Sequence, residues 1–318
     1  MTAPNNTVTS ATPNVGVRED LEDSIYRVAP EETPLVSNID TTDATNIYHE
    51  WQTETLAAPS ATNAQLEGDD YTLGAPNLTT RLGNYMQILA KTGGVSRTQE
   101  VVKKAGRSSE YERQKVLKTI EMKRDLEMRV IGNYASVAES GATTRKTAGI
   151  QAFITSNDSR GAGGSDGGFS AGIVAAATDG TQRTYTEALL KTVWATIFSN
   201  GGKPTQIYMG GTHKQQFSAF TGIADIRGTV SGTSQATIYG SADVYVGDFG
   251  TLTAVPHPYG LSRAAVLVDP KMAAIATLDG LKSKELASSG DNKKFLLTME
   301  KGLVVRNEKA HGVIADLT

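Results

Sequence analysis

His49 and Glu50 open the string H-E-x-x-H, in which two histidines one helical turn apart hold zinc and the glutamate serves as general base. Thr53 stands where the second histidine belongs, so the ligand pair is incomplete. His213, His257 and His311 are scattered, with no carboxylate at metal-ligand spacing, and all four histidines read as structural. The chain has no cysteine, which removes thiolate nucleophiles, thiolate zinc sites and disulfides together. Glycines cluster from Gly161 to Gly168 without the G-K-[ST] ending of a phosphate-binding loop, and no clear strand precedes them. Neither Glu31-Glu32 nor Asp69-Asp70 makes a catalytic pair, because neighbours in an extended segment point to opposite sides. Lys103, Lys104, Arg107, Arg113, Lys115 and Lys118 form a basic run, but acids interrupt it and no aromatic stacking set accompanies it. Sequence-specific nucleic-acid recognition is therefore not expected. Acid–base catalysis needs a convergent set of groups, and none is visible. The expectation is a protein that is not an enzyme and holds no cofactor or metal.

The elements that carry these residues are unusual in their order. Residues 1–16 are polar and rich in Thr, Asn and Pro, a tail that a neighbour would have to hold. Leu21, Ile25 and Val28 lie at helical spacing within Val17–Val28, and Ala29–Val36, with Pro30 and Pro34, reads as an extended, kinked connection. Alternation over Thr45–Leu56 predicts a strand, and Leu82–Gly93 a returning one. Between them lies a polar stretch, Ala57–Thr80, punctuated by Pro59, Gly68, Gly74 and Pro76. Structureless connections of that length are uncommon and usually functional or disordered. Ser109 and Glu112 form a capping box, and a helix is predicted over 109–140, about 45 Å long at 1.5 Å per residue, ending at Gly141. Arg160–Gly180 reads as a flexible surface loop. A second helix is predicted over Thr184–Ser199, a strand over Gln206–Gly210 and a short helix over Thr212–Phe220. Strands follow at Ala236–Val246, Thr251–Pro256, Ala264–Val268, Ala273–Thr277, Phe295–Met299, Val304–Asn307 and Gly312–Leu317. Helices and strands are segregated, so the class is α+β.

The totals narrow the choice further. Apolar residues make up 39% and aromatics 6% of 318 residues, so the core rests on aliphatics and alanine. No run approaches the roughly 18 apolar residues of a membrane helix, and the polar start lacks the features of a secretory signal. The net charge of −3 is unevenly spread: residues 1–90 carry thirteen acids against three bases, and residues 91–140 eleven bases against seven acids. Complementary surfaces meeting within the chain or between copies are one reading; ordinary solvated faces are the other.

Three segments carry a resemblance. Asn14–Ile39 (NVGVREDLEDSIYRVAPEETPLVSNI), His49–Leu56 (HEWQTETL) and Gly83–Val102 (GNYMQILAKTGGVSRTQEVV) resemble a family of tailed-phage major head proteins, and the element order resembles the Hong Kong ninety-seven-type major capsid fold. The resemblance runs from about Asn14 to the end, and its first segment is the most distinctive. It implies an N-terminal arm over 1–44, an extended loop over 45–95, a peripheral domain from 96–148 and 269–318 with a spine helix at 109–140, and an axial domain over 149–268. It further implies hexamers and pentamers of an icosahedral head around double-stranded DNA held by non-specific contact. A separate scaffolding protein, a portal protein at one vertex and a decoration protein are the other implied partners, with no membrane, assembly in the host cytoplasm and residence in the virion. Because the extended loop of this fold lies across a neighbour, Glu67, Asp69 and Asp70 are expected to dock on basic groups such as Lys103, Lys104 and Arg107. Some relatives cross-link through a lysine of that loop; here no lysine precedes Lys91, so that bond is not expected. The alternatives are a nanocompartment shell of the same fold, a monomeric binding module and a secreted carbohydrate-active enzyme.

Overall fold

The computed structural model describes residues 27–68, 70, 73–220, 243–288 and 290–318. The helix expected over Val17–Val28 and the strand expected over Ala236–Val246 fall largely outside these residues.

One helix organises the molecule. α3 (Glu110–Ile131) follows the short helices α1 (Pro34–Asn38) and α2 (Arg97–Val101) and precedes the single turn α4 (Ile150–Phe153). Ser109 caps α3 as its sequence implies, accepting from Glu112 N at 3.2 Å, and Glu100 Oε2 adds bonds to Glu110 N and Tyr111 N at 3.1 and 3.4 Å. The helix stops at Ile131, nine residues before the expected end, and spans about 33 Å. Gly132 is already extended, and the chain beyond it is folded back by Arg129, which donates to the carbonyls of Ala135 and Thr147 at 2.6 and 2.7 Å. Those side-chain bonds replace helical ones over residues whose spacing alone looked helical.

α3 lies on a four-stranded sheet in the order β1-β12-β13-β4: β1 (Asp40–Asp43), β4 (Gln87–Ser96), β12 (Ala273–Leu286) and β13 (Asn292–Val305). Met122, Leu126 and Val130 pack on Phe295, Leu297 and Met299, alternate residues of β13. The sequence divides this hairpin into shorter strands at Ala273–Thr277, Phe295–Met299 and Val304–Asn307. In the fold two 14-residue strands pair throughout, with bulges beside Asp279 absorbing the break in alternation. Gly93 on β4 is needed for contact, since a Cβ there would overlap the Phe295 ring.

The second sheet runs β5-β14-β11-β8-β10-β9. Its strands are β5 (Asp158–Ser159), β8 (Gln206–Met209), β9 (Val244–Gly247), β10 (Gly250–Pro256), β11 (Ala265–Val268) and β14 (Gly312–Ile314). Both faces are buried, so its central strands are continuously apolar. Tyr208, Val266, Val268 and Val313 join the core around α3. Ile207, Met209, Ala265, Leu267 and Ile314 join a second core with Leu190, Val193, Trp194 and Ile197 of α5 (Glu187–Ser199) and Phe217 of α6 (Gly211–Ser218).

Two corrections concern segments read as irregular. Ala29–Val36 is not extended to its end: Pro34 occupies the first turn of α1, where its fixed φ is helical and its missing N–H costs nothing. Arg160–Gly180 is not a slack loop either. It contains the hairpin β6 (Gly168–Ser170) and β7 (Ile173–Ala175), and its two ends are tied to the buried Asp316 carboxylate, which accepts from Gly161 N at 2.9 Å and Gly180 N at 2.8 Å. Glycine is required at Gly161 because a Cβ would overlap the Thr181 carbonyl.

Candidate inter-subunit surface

The returning strand expected over Leu82–Gly93 is divided at Met86. β3 (Thr80–Tyr85) pairs with β2 (Tyr48–Thr53), register Tyr48↔Tyr85 to Thr53↔Thr80, while β4 turns away into the body sheet. Asn84 anchors the hairpin's root: fully buried, it donates to the Thr147 hydroxyl and the Leu303 carbonyl at 2.9 and 2.8 Å and accepts from Ala148 N at 2.9 Å. Beyond the hairpin, the described residues of 54–79 form no helix or strand. Their leucines have no core to enter: Leu56, Leu66, Leu73 and Leu78 are 89%, 76%, 97% and 83% exposed. Fully burying one leucine is worth about 1.5–3 kcal/mol, so four in one projecting segment amount to a large unsatisfied apolar surface.

The charged groups predicted to meet there are placed as follows. Glu67 is exposed beside the turn at Gly68, Asp70 is exposed, and Asp69 lies outside the described residues. Among the described residues, no ion pair within the chain joins Glu67 to Lys103, Lys104 or Arg107. Lys103 is exposed. Arg107 pairs with Glu110, whose carboxyl is held down to about 2, chiefly by its hydrogen bond from Arg113. Lys104 is a correction to the expected set. Its side chain is 4% exposed, and its ammonium donates to the carbonyls of Gln99, Glu100 and Val102 at 2.8, 2.7 and 3.3 Å. A helix end with unpaired carbonyls is a ready cation site, and α2 takes this lysine.

One buried site escaped sequence reasoning. Glu127 on α3 has no exposed surface, and it reaches the N-terminal segment. Its two oxygens accept from Leu35 N at 2.7 Å and Val36 N at 2.9 Å, and Oε1 lies 2.7 Å from His257 Nε2. His257 Nδ1 is 2.7 Å from the Tyr259 carbonyl oxygen, and the Tyr259 hydroxyl donates to the Pro30 carbonyl at 2.6 Å. Glu127 and His257 are 130 residues apart, so no local spacing could pair them. Together these bonds fasten residues 30–36 across α3.

The histidines sit apart: His49 on β2, His213 in α6, His257 at Glu127, and fully buried His311 beside the Met272 carbonyl and Asp269 N. Burial pushes His311 down to about 4. Gly163–Gly167 (GGSDG) spells G-x-S-x-G, yet it lies between two short strands, β5 and β6, whereas a nucleophile elbow joins a strand to a helix. Among the described residues there is no group of three or more His, Asp or Glu able to hold a metal, and no helix long and apolar enough to cross a membrane.

A body of two sheets around one helix, with a hairpin whose connecting segment is bare and an N-terminal segment strapped across the helix, is the fold of tailed-phage shells. The capsid of cyanophage A-1(L) superimposes with a TM-score of 0.69 at 12% identity, over 98% of this chain and 100% of that one. The capsid of a native GTA particle gives 0.61 at 12% identity, over 99% and 100%. Mycobacterium phage Adephagia gives 0.62 at 11% identity, over 98% of each. In sequence, the major capsid protein of Escherichia phage Phieco32 is 26% identical, over 90% of each chain. The profile of the SU10 major capsid protein family matches residues 3–318, and the chain belongs to that family.

Proposed function

We propose that this major capsid protein builds hexamers and pentamers of an icosahedral head by laying its projecting segment, residues 54–79, across an adjacent copy. The observation that carries this is the set of four leucines left bare in that segment. Isolated, such a surface invites aggregation; against a neighbour it supplies the apolar part of an interface. Glu67, Asp69 and Asp70 then meet basic groups of the neighbour, with Lys103 the exposed contact and Arg107 sharing its charge with Glu110. The 1–44 arm, 45–95 loop, peripheral and axial divisions belong to the same reading, adjusted where β4 joins the body sheet from Gln87 and where β14 of the C-terminal stretch joins the second sheet.

The role is structural and without catalysis. Assembly proceeds in the host cytoplasm with a separate scaffolding protein and a portal at one vertex, and the finished shell holds double-stranded DNA by non-specific contact, with its outer face open to a decoration protein. Family membership favours this over a nanocompartment shell, a monomeric binding module or a carbohydrate-active enzyme.

The test is the salt dependence of assembly followed by light scattering. Asp69→Lys with Asp70→Lys should slow assembly and flatten its dependence on salt, because exposed charge pairs are screened over about 10 Å at 0.1 M. Adding Lys103→Glu should restore part of both. Unchanged assembly in the acid-reversed variant would overturn the docking.

A further inference from the structure

A cavity of about 320 Å³ opens between the start of α6 and the loop after β10. Its walls include Gly211, Thr212, His213, His257, Tyr259 and Ser262, and no carboxylate lines it. The local sequence explains the shape. β8 ends at Met209, Gly210 takes an extended N-cap conformation with no side-chain cap, and α6 begins at once. The first internal bond of the helix is Lys214 N to the Gly210 carbonyl at 2.9 Å. Among the described residues, the N–H groups of Gly211, Thr212 and His213 thus have no acceptor, and they point out of the positive end of the helix dipole.

His213 is the independent observation. The residue is 1% exposed and lines the cavity, and neither ring nitrogen has a partner at hydrogen-bonding geometry. Buried polar groups are almost always satisfied, so an orphan beside three bare amides marks a place built for something else. Burial depresses its basicity, with the Leu261 carbonyl pulling the other way, which favours the neutral ring. Thr212 and Ser262 place two exposed hydroxyls at the mouth. Bare amides, a neutral imidazole and hydroxyls, without an acid among them, suit a tetrahedral oxyanion.

We propose that this pocket binds a phosphate group through the amides of Gly211–His213, the His213 ring and the hydroxyls of Thr212 and Ser262. The phosphate is either free inorganic phosphate or a diester of a polynucleotide backbone.

Titration calorimetry on the full chain tests it, with inorganic phosphate as probe against chloride at matched ionic strength. A saturable site with a Kd on the order of 1 mM is expected, reflecting a few exposed hydrogen bonds. Gly211→Pro is the decisive variant. It removes one amide donor, proline is favoured at a first helical position, the extended Gly210 is compatible with a following proline, and a Cβ at 211 meets nothing within 4 Å. It should weaken phosphate binding about tenfold with an unchanged melting temperature. His213→Phe should do the same, and if that variant misfolds Gly211→Pro still decides. Displacement of phosphate by a short DNA duplex assigns the site to the polynucleotide backbone; failure to displace assigns it to free phosphate. No saturable heat, equal heat from chloride, or undiminished binding in Gly211→Pro would overturn the proposal.

Discussion

Replacing Glu127 by glutamine isolates the bond that fastens the N-terminal segment to α3. The two side chains have nearly the same shape, so the core around Leu126 and Val130 is undisturbed and only hydrogen bonding changes. In the native protein the carboxylate accepts from Leu35 N, Val36 N and the His257 ring. An amide has one acceptor oxygen and a donating NH2, so whichever way it turns, at least one of these N–H groups faces another donor. Each charge-assisted bond is worth about 1.5–3 kcal/mol, and a stranded buried donor costs a further 1–3 kcal/mol or so. The substitution should therefore destabilise by about 3–5 kcal/mol, the loss of a charge-assisted bond together with one stranded donor. Denaturant unfolding gives the global figure. Hydrogen exchange gives the location: the Leu35 and Val36 amides should lose protection first, ahead of the Ile207 and Leu267 amides in the second sheet. Equal stability within about 0.5 kcal/mol, or unaltered exchange at Leu35 and Val36, would refute the reasoning.

The remaining predictions concern the core, the glycine-rich segment and pH. Gly93→Ala should cost about 1–3 kcal/mol through overlap with Phe295, and Phe295→Leu in the same chain should recover part of that, so a double-mutant cycle will be non-additive. Asp316→Ala strands Gly161 N and Gly180 N and leaves Arg263 only Asp179 and the Gly180 carbonyl, so exchange should rise across 161–180, with a loss of about 2–4 kcal/mol. His311 is held neutral at about 4 against roughly 6.5 unfolded. Its contribution is complete above pH ~6.5 and declines as pH falls toward 4, by about 3 kcal/mol in all, and His311→Gln should flatten that slope. Asp158, raised to about 6 by burial and the neighbouring Asp166, works in the opposite sense: its contribution is present below pH ~3.8 and lost as pH rises through 6, so Asp158→Asn should steepen the acid-side loss.

What the sequence made legible was what local chemistry decides. Ser109 and Glu112 located the start of α3, the apolar spacing of Leu190, Val193, Trp194 and Ile197 located α5, and alternation around Trp51 located β2. Failures came where distant partners decide. The end of α3 is set by Arg129 gripping Thr147, the turn at Pro34 by Glu127, and the order of Arg160–Gly180 by Asp316, near the other end of the chain. Lys104 looked like a surface cation because nothing in its neighbourhood reveals that α2's carbonyls reach it. The Glu127–His257 contact left no sequence signal. By contrast, the bare leucines of the projecting segment were present in the sequence all along, and only the fold shows that they stay 76–97% exposed.

Those leucines give the most direct measurement. Leu56, Leu66, Leu73 and Leu78 are replaced together by serine, and particle mass is followed by light scattering beside a circular dichroism check of folding. The native chain should give shells or capsomers, and the variant a folded species near 33.7 kDa with native secondary structure, since none of the four side chains is buried within the subunit. Assembly of the variant indistinguishable from that of the native chain would contradict it.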